Sequence, residues 1–213
     1  MLKLNLGCGQ QVLEGWINVD YALGARLAAT PVLGATVRAL GLFKMRWDPR
    51  IQIHNLTKPL PWADGTIDVC YTSHTVEHMS RDEGRHLVSE AYRVLRPGGV
   101  LRVVVPDLHD VVDRYAGGRL LAEHFVEELG VLYGAGKGGL RRALAPVVEF
   151  PHRCMYDTDA MCRLLTSSGF IAEPRAAFDS AIDDIRSIEI EERTVCAVIV
   201  EGVKSTAGTG TSG

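Results

Sequence analysis

Short apolar runs and amphipathic stretches take turns along this chain. Leu2 to Leu6 has strand length and breaks at Gly7 and Gly9, and Ile17 to Asp20 is a second run that ends on an acid. Further strands are predicted at Ile51 to Leu56, Ile67 to Thr72, Val100 to Val105, Phe170 to about Phe178, and Val195 to Val203. Between the fourth and fifth runs the period changes. Leu87, Val88, Ala91, Val94 and Leu95 recur at helical spacing. Ser80 and Glu83 stand before them as the two halves of a capping box, and Pro97, Gly98 and Gly99 close the helix. A second helix is predicted from Thr158 to Ser167, with Met161, Leu164, Leu165 and Ser168 on one side and Gly169 as its stop. Strands alternating with helices are the signature of an α/β fold.

Two stretches interrupt the alternation. Tyr21 to Arg50 follows the second strand, and Leu108 to Arg153 follows the fifth, with a helix-like pattern from Val111 to Leu129. Both leave carboxyl ends of predicted strands, the edge at which open α/β sheets bind ligands. The first carries Arg26, Arg38, Lys44 and Arg46 with no acid before Asp48; the second carries Lys137, Arg141 and Arg142. Three readings are open: solvated surface, a positively charged cap over an acceptor pocket, or a basic stretch resting on a membrane surface. A third oddity is the link from Gly9 to Trp16, which has room for one turn at most. The sheet face left bare there needs other cover, for which Leu27 to Leu42 is the candidate.

Composition narrows the class. At 213 residues and 46% hydrophobic, the chain can bury one substantial core, so one domain is expected. A net charge of -3 offers no basic field for nucleic acid. No run is long enough to span a membrane. The first strand begins by residue 3, which leaves no place for a leader and predicts a cytoplasmic protein. The five cysteines, Cys8, Cys70, Cys154, Cys162 and Cys196, lack Cys-x-x-Cys spacing and read as reduced thiols. The expected organisation is one domain over residues 1–204, with cap insertions at about 21–50 and 108–153, and a disordered tail at 205–213.

The candidate chemistry starts at the first turn. Glycines one residue apart let a ligand approach the backbone, and an acid ending the next strand can accept both hydroxyls of a ribose. No third glycine opens a helix, and the acid comes sooner than in the dinucleotide fingerprint. The turn therefore suits a nucleoside better than a pyrophosphate. Taken with His54-Asn55-Leu56, Leu60-Pro61-Trp62, Ile67-Asp68-Val69, Glu77-His78 and Leu95 through Gly99, the chain up to about Asp107 resembles the class I S-adenosylmethionine-dependent methyltransferases of the type 11-like family.

That resemblance implies a Rossmann-like, doubly wound, mostly parallel seven-stranded sheet with an antiparallel last strand. It implies S-adenosylmethionine as cofactor, held by Gly7, Gly9, Asp20, Asn55, Leu56, Ser73 and His74. Asn55 stands where the family commonly has Asp; its carbonyl can accept from an adenine amino group much as a carboxylate does. The expected reaction is methyl transfer, most simply to oxygen on a small molecule or glycan, with a phosphorylated or carboxylated acceptor suited to a basic cap. Methyl transfer needs alignment above all, and a base helps a hydroxyl acceptor. His78, Asp107 and His152 are the candidates for that base. Two alternatives stay open. One is a domain that binds the cofactor without chemistry, since no motif fixes a catalytic residue. The other is a zinc hydrolase, because His74-x-x-Glu77-His78 spells an inverted peptidase motif. That motif needs both histidines on one helix face. Here an apolar strand runs straight into His74, so no metal is expected.

Overall fold

A computed structural model describes residues 1–30, 47–132 and 151–206. Seven strands form one sheet: β1 (Lys3–Leu6), β2 (Ile17–Asp20), β3 (Gln52–Ile53), β4 (Ile67–Ser73), β5 (Leu95–Pro106), β6 (Phe170–Pro174) and β7 (Ala197–Lys204). Their order is β3-β2-β1-β4-β5-β7-β6. β3, β2, β1, β4 and β5 pair in parallel, and β7 runs antiparallel to both β5 and β6. The chain starts at β1, builds outward to β3, and crosses back to β4. The order therefore reverses between β1 and β4, and a crevice opens at their carboxyl ends.

Among the described residues the helices are α1 (Leu23–Ala28), α2 (Arg81–Val94), α3 (Leu108–Ala116), α4 (Ala122–Glu128), α5 (Thr158–Ser167), α6 (Ile185–Ile188) and α7 (Glu191–Thr194), with a 3₁₀ turn at Val76–His78. The Ser80–Glu83 capping box forms in both directions at the start of α2, and α5 has the predicted bounds. None of the described helices is long and apolar enough to cross a membrane. All five cysteines are free thiols.

Several elements depart from the expected bounds for local reasons. The third strand shrinks to Gln52–Ile53 because Ile51 sinks into the core and the chain turns at Asn55, whose Oδ1 accepts from the Thr57 N–H at 3.0 Å. The helix expected from Val111 to Leu129 is two, since Gly117 and Gly118 end α3, the latter at φ +70° where glycine is favoured. The fifth strand starts earlier, at Leu95. Leu95 pairs with Ile67, and the register then shifts before Val69 meets Val100, which absorbs Pro97, Gly98 and Gly99 as an irregularity. β6 stops at Pro174, and by Phe178 the backbone is left-handed.

Period-2 alternation splits the core between the two faces of the sheet. Leu101, Val103 and Val105 of β5 face α2 and α5, packing with Leu87, Ala91, Val94, Met161 and Leu165. Val100 and Val104 face the other way, with Val69, Tyr71, Trp16 and Ile199. On that second face no helix follows β1. The loop that replaces it is tied down by two buried amides: Asn5 Nδ2 donates to the Gln11 carbonyl and to Asn18 Oδ1, and Asn18 bonds both ways with the Leu13 backbone. Among the described residues, Ile182, Ile185 and Ile188, from the stretch before β7, cover the bare face. Most of the segment expected there, Leu27 to Leu42, lies outside the described residues.

Candidate active site

A cavity of about 520 Å³ opens at the β1/β4 crevice, within the size range of small-molecule pockets. Gly7, Gly9, Asp20, Asn55, Leu56 and His74 all line it, as does His78. The first turn is built for close approach. Gly7 has φ +75°, and a Cβ there would lie 2.2 Å from Thr75 Oγ1. Gly9 has φ +55° and would meet nothing within 4 Å. Its missing side chain is thus left as open cavity. Between them, the Cys8 thiol is pushed up to about 12 by burial and by the charge of Asp20. That makes it an inert filler of the turn.

Asp20 ties the turn to the second strand. Its Oδ2 accepts from the Gly9 N–H at 2.8 Å and its Oδ1 from the Ala22 N–H at 2.6 Å. Each carboxylate oxygen has a further acceptor site. Asn55 Oδ1 accepts from both the N–H and the hydroxyl of Thr57, at 3.0 and 2.9 Å, so its own turn engages that oxygen. Leu56 is buried and lines the cavity.

Ser73 lies away from the cavity wall. The alternation of β4 puts it on the Tyr71 side of the sheet, where it is buried. Asp107 is also outside the wall. Its carboxylate caps α3 by accepting from the His109 N–H at 2.9 Å, and its backbone N–H donates to the Cys196 carbonyl. This occupies as a helix cap a group expected to be available as a base.

The remaining candidates gather around one carboxylate. His74 leaves β4 with φ +52°, and only Val76–His78 is helical after it, as a single 3₁₀ turn. The helix face that the peptidase motif requires is therefore missing. His74 Nε2 donates to the Arg193 carbonyl at 2.9 Å, and its Nδ1 lies 3.4 Å from Glu77 Oε1. Burial opposes charge on this imidazole, but the Glu77 carboxylate and the Arg193 carbonyl outweigh it and raise its pKa. His78 Nε2 is 3.9 Å from the same Glu77 oxygen. His152 reaches the cluster from the far end of the second interruption, with ring centroids 5.0 Å apart. Burial holds the His152 imidazole below its ordinary pKa against the pull of Glu77.

Other cavity residues were not foreseen. Trp47 packs its indole on Gly24, where a Cβ would sit 2.1 Å from Nε1. A glycine inside a short helix was the available signal. Arg193 lines the cavity from the stretch before β7, and no local pattern marks it.

Comparison with known proteins agrees with this geometry. The methyltransferase domain family matches residues 4–103. An uncharacterized methyltransferase of Synechocystis is 34% identical over 110 residues, covering 50% of this chain and 51% of that protein. A Mycolicibacterium smegmatis protein with the name "Probable S-adenosylmethionine-dependent methyltransferase" is 40% identical over 60 residues, covering 28% of this chain and 23% of that one. This chain thus spans about half the length of the first relative and under a quarter of the second. A structure of a Methanosarcina mazei S-adenosylmethionine-dependent methyltransferase superposes with a TM-score of 0.52 at 17% identity, covering 95% of this chain and 92% of that one, and shows the shared fold. The cofactor of such a domain is S-adenosylmethionine, and the residues fit it. A glycine leaves open cavity where a side chain would stand, and a carboxylate ends the neighbouring strand. By its strand order, its first turn and these relatives, the chain is similar to the class I S-adenosylmethionine-dependent methyltransferases.

Proposed function

We propose that the chain transfers a methyl group from S-adenosylmethionine to an oxygen of a small-molecule or glycan acceptor. The observation that carries this is the cavity at the β1/β4 crevice, walled by Gly7 and Gly9 on one strand end and Asp20 on the next. Asp20 would accept the ribose hydroxyls, the glycine turn would let the methionine portion pass, and the Asn55–Leu56 backbone would border the adenine. Bound cofactor supplies an electrophilic methyl group on a sulfonium. The chain's own part is to align the acceptor, exclude water, and take up the acceptor's proton. For the last step His78 is the best placed of the three candidates, because it alone lines the cavity. His152 stands behind it, and Asp107 is committed to its helix.

The acceptor's charge is a finer proposal. Arg26 of the first interruption is described and stacks on Tyr21, with 4.6 Å from guanidinium to ring centroid. Arg38, Lys44, Arg46, Lys137, Arg141 and Arg142 lie outside the described residues. Their unbalanced charge supports an anionic acceptor, and contact with an anionic membrane surface is the companion reading. We place the activity in the cytoplasm, consistent with the free cysteines.

The test is calorimetry with S-adenosylhomocysteine on the wild type and Asp20→Ala. Wild-type binding should be micromolar. Two hydrogen bonds to a charged group, at about 1.5–3 kcal/mol each, make the variant roughly a hundredfold weaker or worse. Unchanged affinity in the variant would show that the ribose does not sit on Asp20. Transfer of label from methyl-labelled cofactor to hydroxylated acceptors then separates an enzyme from a domain that only binds.

A further inference from the structure

Beside the cavity a carboxylate is buried among imidazoles. Glu77 is 1% exposed, and neither of its side-chain oxygens has a hydrogen bond among the described residues. His74 Nδ1 and His78 Nε2 stand 3.4 and 3.9 Å from its Oε1. A buried carboxylate without hydrogen bonds is costly; His74 offsets that cost only while its imidazole is protonated, whereas a bound metal cation would offset it at any pH. His78 Nδ1 is likewise buried without a partner.

The third group arrives already oriented. His152 Nδ1 lies 2.8 Å from the Leu129 carbonyl. Nδ1 therefore carries the proton, and Nε2 keeps its lone pair. A backbone carbonyl on the far nitrogen is the usual partner of a metal-ligating histidine. Gly130 makes room for this ring, since a Cβ at that position would lie 2.7 Å from Cε1 and Nδ1 of His152. The Glu77 carbonyl accepts from the N–H groups of Arg153 and Cys154 at 2.7 and 3.0 Å, which locks the two segments together. One ligand atom from each of Glu77, His78 and His152 falls within 4.8 Å of the others.

We propose that Glu77, His78 and His152 form a site for a divalent transition cation of the zinc class. Two imidazoles and a carboxylate suit such ions. Ligands at zinc stand about 3.3 Å apart, so the three atoms must close by about 1.5 Å at most. In sequence, a zinc site at this motif requires His74 and His78 on one helix face with a third ligand from elsewhere; in the folded chain Glu77, His78 and His152 come together without His74. Three protein ligands leave a coordination position, and His78 opens it toward the cavity. An acceptor oxygen bound there would lose its proton more easily. Only this last consequence rests on the methyl-transfer reading; it would make the cation, and not the His78 ring, the activator.

The experiment uses the full chain, stripped with chelator and dialysed. Zn²⁺ is titrated by calorimetry and Co²⁺ by visible absorption. One equivalent per chain with micromolar or tighter affinity is expected. His152→Ala and Glu77→Gln should each weaken it by roughly a hundredfold, at or above the loss from removing an outer partner. Gly130→Ala, which keeps all three ligands but displaces the His152 ring, should weaken it as well, and it carries the test if the other variants fail to fold. Binding well below one equivalent at 100-fold excess Zn²⁺ overturns the proposal, as does equal affinity in all folded variants. S-adenosylhomocysteine binding is measured on the same stripped protein. Its loss with zinc binding intact would sink the nucleoside reading and leave the metal site standing.

Discussion

Arg102→Met tests what holds the sheet face that lacks a helix. Arg102 is fully buried in the middle of β5, on the same face as Val100 and Val104. Its guanidinium uses all five donors. Nε and Nη2 fork onto Glu189 at 2.8 Å each, Nη1 meets Glu201 Oε1 at 2.9 Å and the Asp179 carbonyl at 2.8 Å, and Nη2 meets the Ala176 carbonyl at 3.0 Å. Glu201 is its direct register partner on β7. The network thus pins the stretch from Ala176 to Glu189, which carries the isoleucines over the bare face and runs on to Arg193 in the cavity wall.

Methionine fills much of the same space, leaves the buried Glu189 without its cation, and leaves Glu201 with Arg175 Nε alone, at 3.6 Å. Removing one partner of a buried ion pair costs about 3–5 kcal/mol. In a domain of this size that lowers Tm by about 6–20 °C, at roughly 2–4 °C per kcal/mol. Arg102→Lys should recover only part, since an ammonium has three donors and cannot fork. Replacing all three side chains by apolar ones should not restore stability either. Glu189 also accepts from the Phe178 N–H and Glu201 from the Ala181 N–H, so those donors would be orphaned. Thermal and urea unfolding followed by circular dichroism read these losses. A Tm for Arg102→Met within about 2 °C of the wild type would refute the reasoning.

Two further perturbations separate stability from function. Gly7→Ala should unfold the turn, because its Cβ meets Thr75 at 2.2 Å. Gly9→Ala has open space and should cost only about 1–2 kcal/mol of left-handed strain, yet weaken S-adenosylhomocysteine binding far more than that. Equal losses of stability, or unimpaired binding in Gly9→Ala, would contradict the cavity assignment. For His74 the folded pKa is raised, so its contribution is fully present below the unfolded value near 6.5 and is lost as pH rises through the folded pKa. His74→Asn tolerates the left-handed backbone and should destabilise more at pH 6 than at pH 8. The same loss at both pH values, by urea unfolding, would show that the imidazole charge contributes nothing.

What the sequence made legible follows distance along the chain. Gly9 and Asp20 are bonded to each other across a short loop, and the capping box closes within four residues. Local pattern suffices for both. Asp107 looked like an available base because it ends a strand at the ligand edge, but the same position makes it the cap of the helix that follows. In sequence Arg102 is a single charge inside an apolar strand. Its partners come from 74 to 99 residues away, on β7 and on the stretch before it, which has no helical period to announce it. His152 lies in the polar and aromatic run Pro151 to Asp157, but its spatial neighbours cannot be read from that run. Its ring reaches His78 because β5 delivers the second interruption beside the end of β4. Strand ends are where these two kinds of information meet. A strand-end residue whose partners lie in the next turn declares its role in sequence, while one whose partners return on another crossing of the sheet takes its role from topology. Glu77 belongs to the second kind. A Glu-His pair after a strand is ordinary in sequence, and only the return of His152 leaves that carboxylate buried among nitrogens with no donor of its own.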